Sequence, residues 1–414
     1  MTDLQAGVVP VDLFDPDTYV DGPPHDYLSH LRATQPVFRQ EMQDGGSCWA
    51  VLRHADLVHV AREPVLFSAS EGGVVVEDLD AEALAMMRHM LLAMDPPPHA
   101  DYRKPLAPTF GARVIGALEG QVREICRRIM AEAAAAGDVE FVHEVCGGLP
   151  AQVVGEIMGL PEEDWGRIQR WAEQQTSGQD PDLAGDVDAG DDANPMMSMA
   201  MYFIEFGARR RAEPIRDDLT SLILATEFGR DDRPAEPMND IDFGSFCVQL
   251  VTAGNDTTKT MLSSGLEALL AHPDQLASLR ADPSLIPGAV EEILRWANPL
   301  HYFRRTATAD TELSGVAIAA GEKVAMMYTS ANRDEAMFTD AQAFDVRRSP
   351  NPHLSFGIGE HYCLGAHLAR LEGRVFFEEL LAAFPTIEQT GDAVRVRSNL
   401  NNALKRLPVR LSTS

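Results

Sequence analysis

Five cysteines occur in the 414 residues, at positions 48, 126, 146, 247 and 363, and only Cys363 has neighbours that suggest chemistry. It stands in Phe356-Gly-Ile-Gly-Glu-His-Tyr-Cys-Leu-Gly365, directly ahead of a stretch with helical spacing. Backbone N–H groups and the positive end of a helix favour thiolate over thiol at such a place, which is what a soft metal ligand needs. Gly357 and Gly359 remove side chains where the backbone must approach something flat, and Phe356 can lie against that object. An inert buried thiol is the ordinary reading of a lone cysteine and is adopted for Cys48, Cys126, Cys146 and Cys247. For Cys363, ligation explains all the neighbours at once.

A second group is Ala253-Gly-Asn-Asp-Thr-Thr258, polar residues in the middle of the least polar helical stretch. Gly254 alone costs about 1 kcal/mol relative to Ala in a helix interior, and buried Asn, Asp and Thr need partners. Taken alone, the group is equally well a solvated face. Glu292 and Arg295 lie three apart on one helical face and can pair, as many surface residues do.

These residues require elements to carry them. Asp240 can cap a helix running to about Ala271, ended by His272, Pro273 and Asp274. A helix follows from Ile286 to Trp296, then a hairpin turning at Ser314-Gly315, a strand at KVAMMY, an irregular stretch from Asn332 to Ser355, and a last long helix from Cys363 to Phe384. Upstream, SCWAVLR reads as a strand and HADLVHVARE as a helix, while 110–136 and 141–158 have helical periodicity. The segment from Gln175 to Pro195, rich in Asp, Gly and Pro, reads as a mobile connection between two helices. The fold class is mainly α, with small sheets.

The chain has no linker and no repeat, so a single domain over 1–414 is the simplest organisation. An acidic, proline-broken N-terminus is neither signal peptide nor membrane anchor, and unpaired cysteines suit a reducing cytoplasm. A net charge of −28, from 35 basic and 63 acidic residues, argues against non-specific binding to nucleic acid or anionic lipid.

The segment Phe356–Gly365 resembles the haem-binding loop of the cytochromes P450, with Phe356, Gly357, Gly359, His361, Cys363 and Gly365 each where that family has them. The resemblance implies a helical fold with small sheets and a long helix over haem b, with Cys363 as axial ligand and His361 near a haem propionate. His99, Arg103, Arg305 and His353 match the family's propionate-neutralising positions, and the likeness runs from about Asp95 to Phe384. Ala253 and Gly254 would make room for dioxygen, Asp256 would relay protons, and Thr257 would hold the oxygen or its waters. Glu292 and Arg295, with Arg348 as third partner, would be structural, holding the segment that presents Cys363.

The activity implied is insertion of one dioxygen atom into a C–H bond, by a monomer. No flavin or iron–sulfur module fits this length, so electrons would come from a ferredoxin and its NAD(P)H-dependent reductase. A basic patch of Lys104, Arg113, Arg347, Arg370 and Arg374 would dock that ferredoxin. The substrate pocket, by analogy of position, includes Val75, Met90, Leu250, Val251, Leu300, Phe303 and Leu404, with no basic residue beyond His301. Its character and the wording of the motifs favour an apolar terpenoid or steroid. Two alternatives remain at this stage: a family member that couples or rearranges its substrate, and a non-catalytic haem-thiolate sensor.

Overall fold

The structure, a computed structural model, describes residues 9–43, 45–176, 178–183, 194–230 and 233–413. Its centre is a helix from Asp240 to Ala271, 32 residues long, hence about 48 Å at about 1.5 Å per residue. The cap is Asn239, not Asp240. Asn239 keeps extended dihedrals, and its side-chain oxygen accepts from the Asp242 N–H at 2.9 Å, leaving Asp240 as the first helical residue. Around this rod pack the helices Gly148–Met158, Glu162–Thr176, Pro195–Arg211, Ile286–Ala297 and Ala366–Ala383. Gly265 permits a close crossing: a Cβ there would come within 2.8 Å of Phe377 and 2.9 Å of Ile293. The main apolar core forms at this crossing from Leu262, Leu266, Ile293, Phe376 and Phe377.

A five-stranded sheet flanks the helices, in the order Val37–Glu41, Ser47–Val51, Lys323–Met327, Tyr302–Ala307, Phe67–Ser68. Tyr302–Ala307 runs antiparallel to Lys323–Met327, with Arg304 opposite Ala325 and Arg305 opposite Val324. Successive strand residues point to opposite faces, so the two arginines serve different places. Arg304 reaches the carbonyls of Val75 and Glu77 and the Asp78 carboxylate at 3.2–3.5 Å, fixing the segment before the Ala81–Met87 helix.

Two further boundaries differ from the expectation. The stretch 141–158 is broken into a π-helical turn, Phe141–Cys146, and a separate helix from Gly148, because Glu140 caps the turn through the N–H groups of Val142 and His143 and Gly147-Gly148 follow. The last helix begins at Ala366, with Gly365 as its cap, so Cys363 lies in the loop ahead of it. The acidic connection joins helices ending at Thr176 and beginning at Pro195, and 184–193, for which mobility is expected, lie outside the described residues. Among the described residues no helix is long and apolar enough to cross a membrane.

The irregular stretch after Asn332 has few ladder bonds of its own and is held by buried charge. Arg295 binds Glu292 bidentately at 2.8 Å and donates to the carbonyls of Asn332, Ala341 and Ala343. Arg348 reaches the same carboxylate at 3.1 Å and donates to the carbonyls of Thr339, Asp340 and Ala343. The Glu292 and Arg295 side chains are wholly inaccessible to solvent. Removing one partner of a buried pair leaves the other charge uncompensated, so Glu292→Ala should cost about 3–5 kcal/mol of folding stability. Urea unfolding measures this, and an unchanged midpoint would show that the segment is held by other means.

Candidate functional site

Cys363 ends a tight loop. Its N–H donates to the Phe356 carbonyl at 2.8 Å, and the Gly365 N–H points at its sulfur. Gly357 and Gly359 take φ of 67° and 76°, and a Cβ on Gly359 would fall 2.5 Å from the Ala61 carbonyl oxygen, so the loop can be followed only with glycine there. Phe356 is buried, with the Arg370 guanidinium 4.5 Å above its ring. The thiol is exposed at its own surface but set deep in the surrounding protein mass. That burial pushes it above the ordinary thiol range, although the Gly365 amide, Arg103 and Arg370 pull the other way. The protein alone therefore does not ionise Cys363. A cation at the sulfur would.

Beside the loop four cationic or potentially cationic groups converge. The rings of His99 and His361 lie 4.3 Å apart, each with a buried Nε2 that has no partner. Arg305, nearly inaccessible, donates only to the Arg304 carbonyl among the described residues, and Arg103 donates to the Tyr362 carbonyl. None of the four has an ion-pair partner among the described residues. Burial and the neighbouring arginines push His99 down to about 4 and His361 to about 2, so both rings are neutral donors at pH 7. Such a set is complementary to a buried anion with two acidic groups. His353 does not join it. Its Nε2 lies 3.1 Å from Glu291, which also binds Arg370, and its Nδ1 accepts from the Ser355 N–H.

On the long helix, Thr257 donates to the Ala253 carbonyl at 2.6 Å, the usual back-bond of a helical threonine. Asp256 accepts from Asn255 and Thr176 and faces Lys259 at 3.2 Å. A Cβ on Gly254 would lie 3.2 Å from Val154. Glu372, on the last helix, was missed by the sequence reading. It is fully buried and hydrogen-bonded to Thr258, and burial raises it to about 8. Its only sequence signal is an acid within the apolar stripe of that helix.

The apolar candidates divide. Met90 and Val251 share a cluster with Phe246 and Val154, with Leu250 packed against it. Phe303 packs on Val74 and Ala93, while the Val75 carbonyl is bound by Arg304 and Leu300 bridges to Asn401 through the backbone. Leu404 belongs to the main core and lines a cleft behind the long helix. His301 is no pocket base: fully buried, it stacks on Tyr19 at 4.0 Å, and burial lowers it to about 3. In the expected basic patch, Arg370 is spent on Glu291 and Arg374 on Glu119 and Glu378, whereas Lys104, Arg113 and Arg347 are exposed and make no ion pair among the described residues. Arg370 holds the Cys363 loop in place, so it is not a free docking charge.

The helical rod, the cysteine loop and the ring of unmatched donors define a haem-thiolate protein by their chemistry, and comparison with known proteins agrees. The profile of the family described as Cytochrome P450 matches residues 193–411. Steroid C26-monooxygenase of Mycolicibacterium smegmatis is 36% identical, over 95% of this chain and 92% of that protein. Linalool 8-monooxygenase of Pseudomonas putida is 34% identical, over 96% and 98%. Among solved structures, Mycobacterium marinum cytochrome P450 CYP268A2 in complex with pseudoionone superposes with a TM-score of 0.88 at 37% identity, covering 98% of this chain and all of that one. The chain belongs to the cytochrome P450 family. It is a monooxygenase, of a family that binds haem iron and uses dioxygen. The unpartnered nitrogens of His99 and His361, with Arg103 and Arg305, fit the two carboxylates of that group, and the Cys363 sulfur fits its iron.

Glu372 gives a test of the buried geometry. Its folded state keeps the proton up to about pH 8, whereas the unfolded chain releases it near 4.5, so stability is lost as pH rises between these values. Glu372→Gln should therefore gain on the wild type by up to about 1.4 kcal/mol per pH unit over that window. Thermal unfolding at several pH values measures the difference. A constant difference would mean that Glu372 is ionised in the folded protein.

Proposed function

We propose that the protein is a single-domain, monomeric haem b monooxygenase that inserts one atom of dioxygen into a C–H bond of an apolar terpenoid or steroid, with electrons from a ferredoxin and its NAD(P)H-dependent reductase. The observation that carries this reading is the exposed Cys363 sulfur set beside four donors with no anion of their own. Bound haem supplies the redox and oxygen chemistry, and the chain supplies its surroundings. Cys363 would hold the group, with the Gly365 N–H moderating the sulfur's charge. Arg103 and Arg305 would neutralise its carboxylates, with the neutral rings of His99 and His361 hydrogen-bonding to them. Glu292, Arg295 and Arg348 immobilise the approach to the loop. Asp256 takes up and passes on protons, and Thr257 positions the water through which they travel.

The substrate class rests on two supports. Met90 and Val251, with Leu250 packed against them, belong to an apolar cluster, and an unpaired carboxylate would be costly to bury there. The relatives named above act on a steroid and on linalool, both largely apolar. A panel of neutral terpenoids and steroids should shift the Soret band of the purified protein, and turnover with a surrogate ferredoxin and reductase should yield products heavier by one oxygen atom. Tighter binding of a free fatty acid than of its neutral analogues would overturn the substrate class, and a product lacking the added oxygen would favour coupling or rearrangement.

Thr257→Ala should leave NADH consumption largely intact while lowering the ratio of product to NADH and raising peroxide, because the hydroxyl that orders the proton-carrying water is gone. If the back-bond to Ala253 is the whole role of Thr257, the ratio will stay at the wild-type value.

A further inference from the structure

Behind the long helix, Asp256 looks onto a cleft of about 220 Å³ between the Glu162–Thr176 helix, the π-helical turn and the C-terminal strands. The charged groups around it are Lys259 on its own helix, Glu173 and Arg170 on the facing helix, His143 on the turn, Asp182 beyond the facing helix and Lys405 on a strand. Only Lys259 pairs with Asp256 among the described residues, at 3.2 Å, and the same ammonium donates to Glu173 at 2.7 Å. His143 stands 3.9 Å from the Glu173 carboxylate, too far for a hydrogen bond. The Thr176 hydroxyl donates to the other Asp256 oxygen.

One nearly inaccessible ammonium is thus shared by two carboxylates at unequal distances. Burial works against its charge, but Asp256 and Glu173 together outweigh burial and hold it above the ordinary lysine range, so it is a permanent cation. The arrangement is a competition. Whatever charge on Lys259 is neutralised by Glu173 is lost to Asp256, so Glu173 acts on Asp256 with the opposite sign to Lys259. A cation held close favours the ionised form of a relay carboxylate, and a cation drawn away makes its protonation easier. Neither extreme suits a group that must gain and lose a proton in every cycle.

We propose that Lys259 and Glu173 are positioning residues that tune Asp256, and that Asp256 is refilled with protons from the water of this cleft. The inference rests on the reading of Asp256 as the proton relay. A proton passes from cleft water to the carboxylate, giving the acid, and then onward to the reaction, restoring the carboxylate. No electron or heavy atom moves in that transfer.

The signs are fixed by electrostatics. Turnover limited by proton supply falls as pH rises past the point where the relay ionises. Lys259→Met removes the cation that favours the ionised form, so this falling limb should move to higher pH, by about one unit or more. Glu173→Gln leaves Lys259 to Asp256 alone, so the limb should move to lower pH. Lys259→Arg keeps the charge and should stay near the wild type. Each variant would be measured as the haem-loaded protein, with the solvent isotope effect recorded to show that proton transfer limits the rate. A second readout needs no turnover: the carboxyl stretch of ¹³C-aspartate in the resting protein, with Asp256→Asn subtracted, should give protonation midpoints that move in the same opposed directions. A merely structural ion pair predicts lower stability and no movement of either midpoint, which would overturn the inference, as would two shifts of the same sign. If Lys259→Met does not fold, the Glu173→Gln limb and the infrared midpoint still decide. Asp256→Asn separates the two levels: wild-type turnover and pH profile in that variant would sink the relay reading itself, whereas slowed turnover with unmoved limbs in the other variants would sink only the tuning.

Discussion

The presentation of Cys363 depends on a buried carboxylate. Between Asn332 and Ser355 the chain carries many carbonyls and little regular structure, and a segment of that kind ordinarily stays at the surface, where water can satisfy it. Here Glu292 fixes two guanidiniums, and their remaining donors take up five different carbonyls of the segment. The ion pair matters less for its own energy than for the planar donors it holds at fixed angles. From that anchorage the chain proceeds through His353, clamped by Glu291, into the glycine-bounded loop that ends at the sulfur.

The long helix solves a related problem by another route. Its mid-section holds Asn255, Asp256, Thr258 and Lys259 among apolar neighbours, which helix propensity alone would not select. Different elements provide for several of them: Glu173 and Thr176 from one helix, and Glu372 from another. The polar stripe is therefore a tertiary product, assembled only when three helices pack.

Much of this was legible in the amino-acid order, and the limits have physical causes. The long helix, the hairpin at Ser314-Gly315 and the Cys363 loop were readable because each depends on local signals: apolar periodicity, left-handed turn residues and closely spaced glycines. The pairing of Glu292 with Arg295 was readable too, since three residues separate them on one helix face. What could not be read were partners brought together by packing. His353 looked like one more donor to a buried anion until Glu291 proved to lie beside it. Arg370 looked like surface charge, yet it braces Phe356 and Glu291. Glu372 gave the faintest signal because its meaning lies entirely in its burial.

The strand Tyr302–Ala307 places adjacent arginines on opposite faces, Arg304 bracing the segment of Val75 to Asp78 and Arg305 standing beside His361. This gives the strand a strict parity. Deleting or inserting one residue within it would exchange the two side chains, sending the brace into the anion site and the anion donor into the brace. Changes of length are thus confined to the turns beyond Ala307, while changes of side chain on the strand's outer neighbours remain open. Descendants of this sequence can vary the braced segment, but only while the register of a six-residue strand is inherited intact.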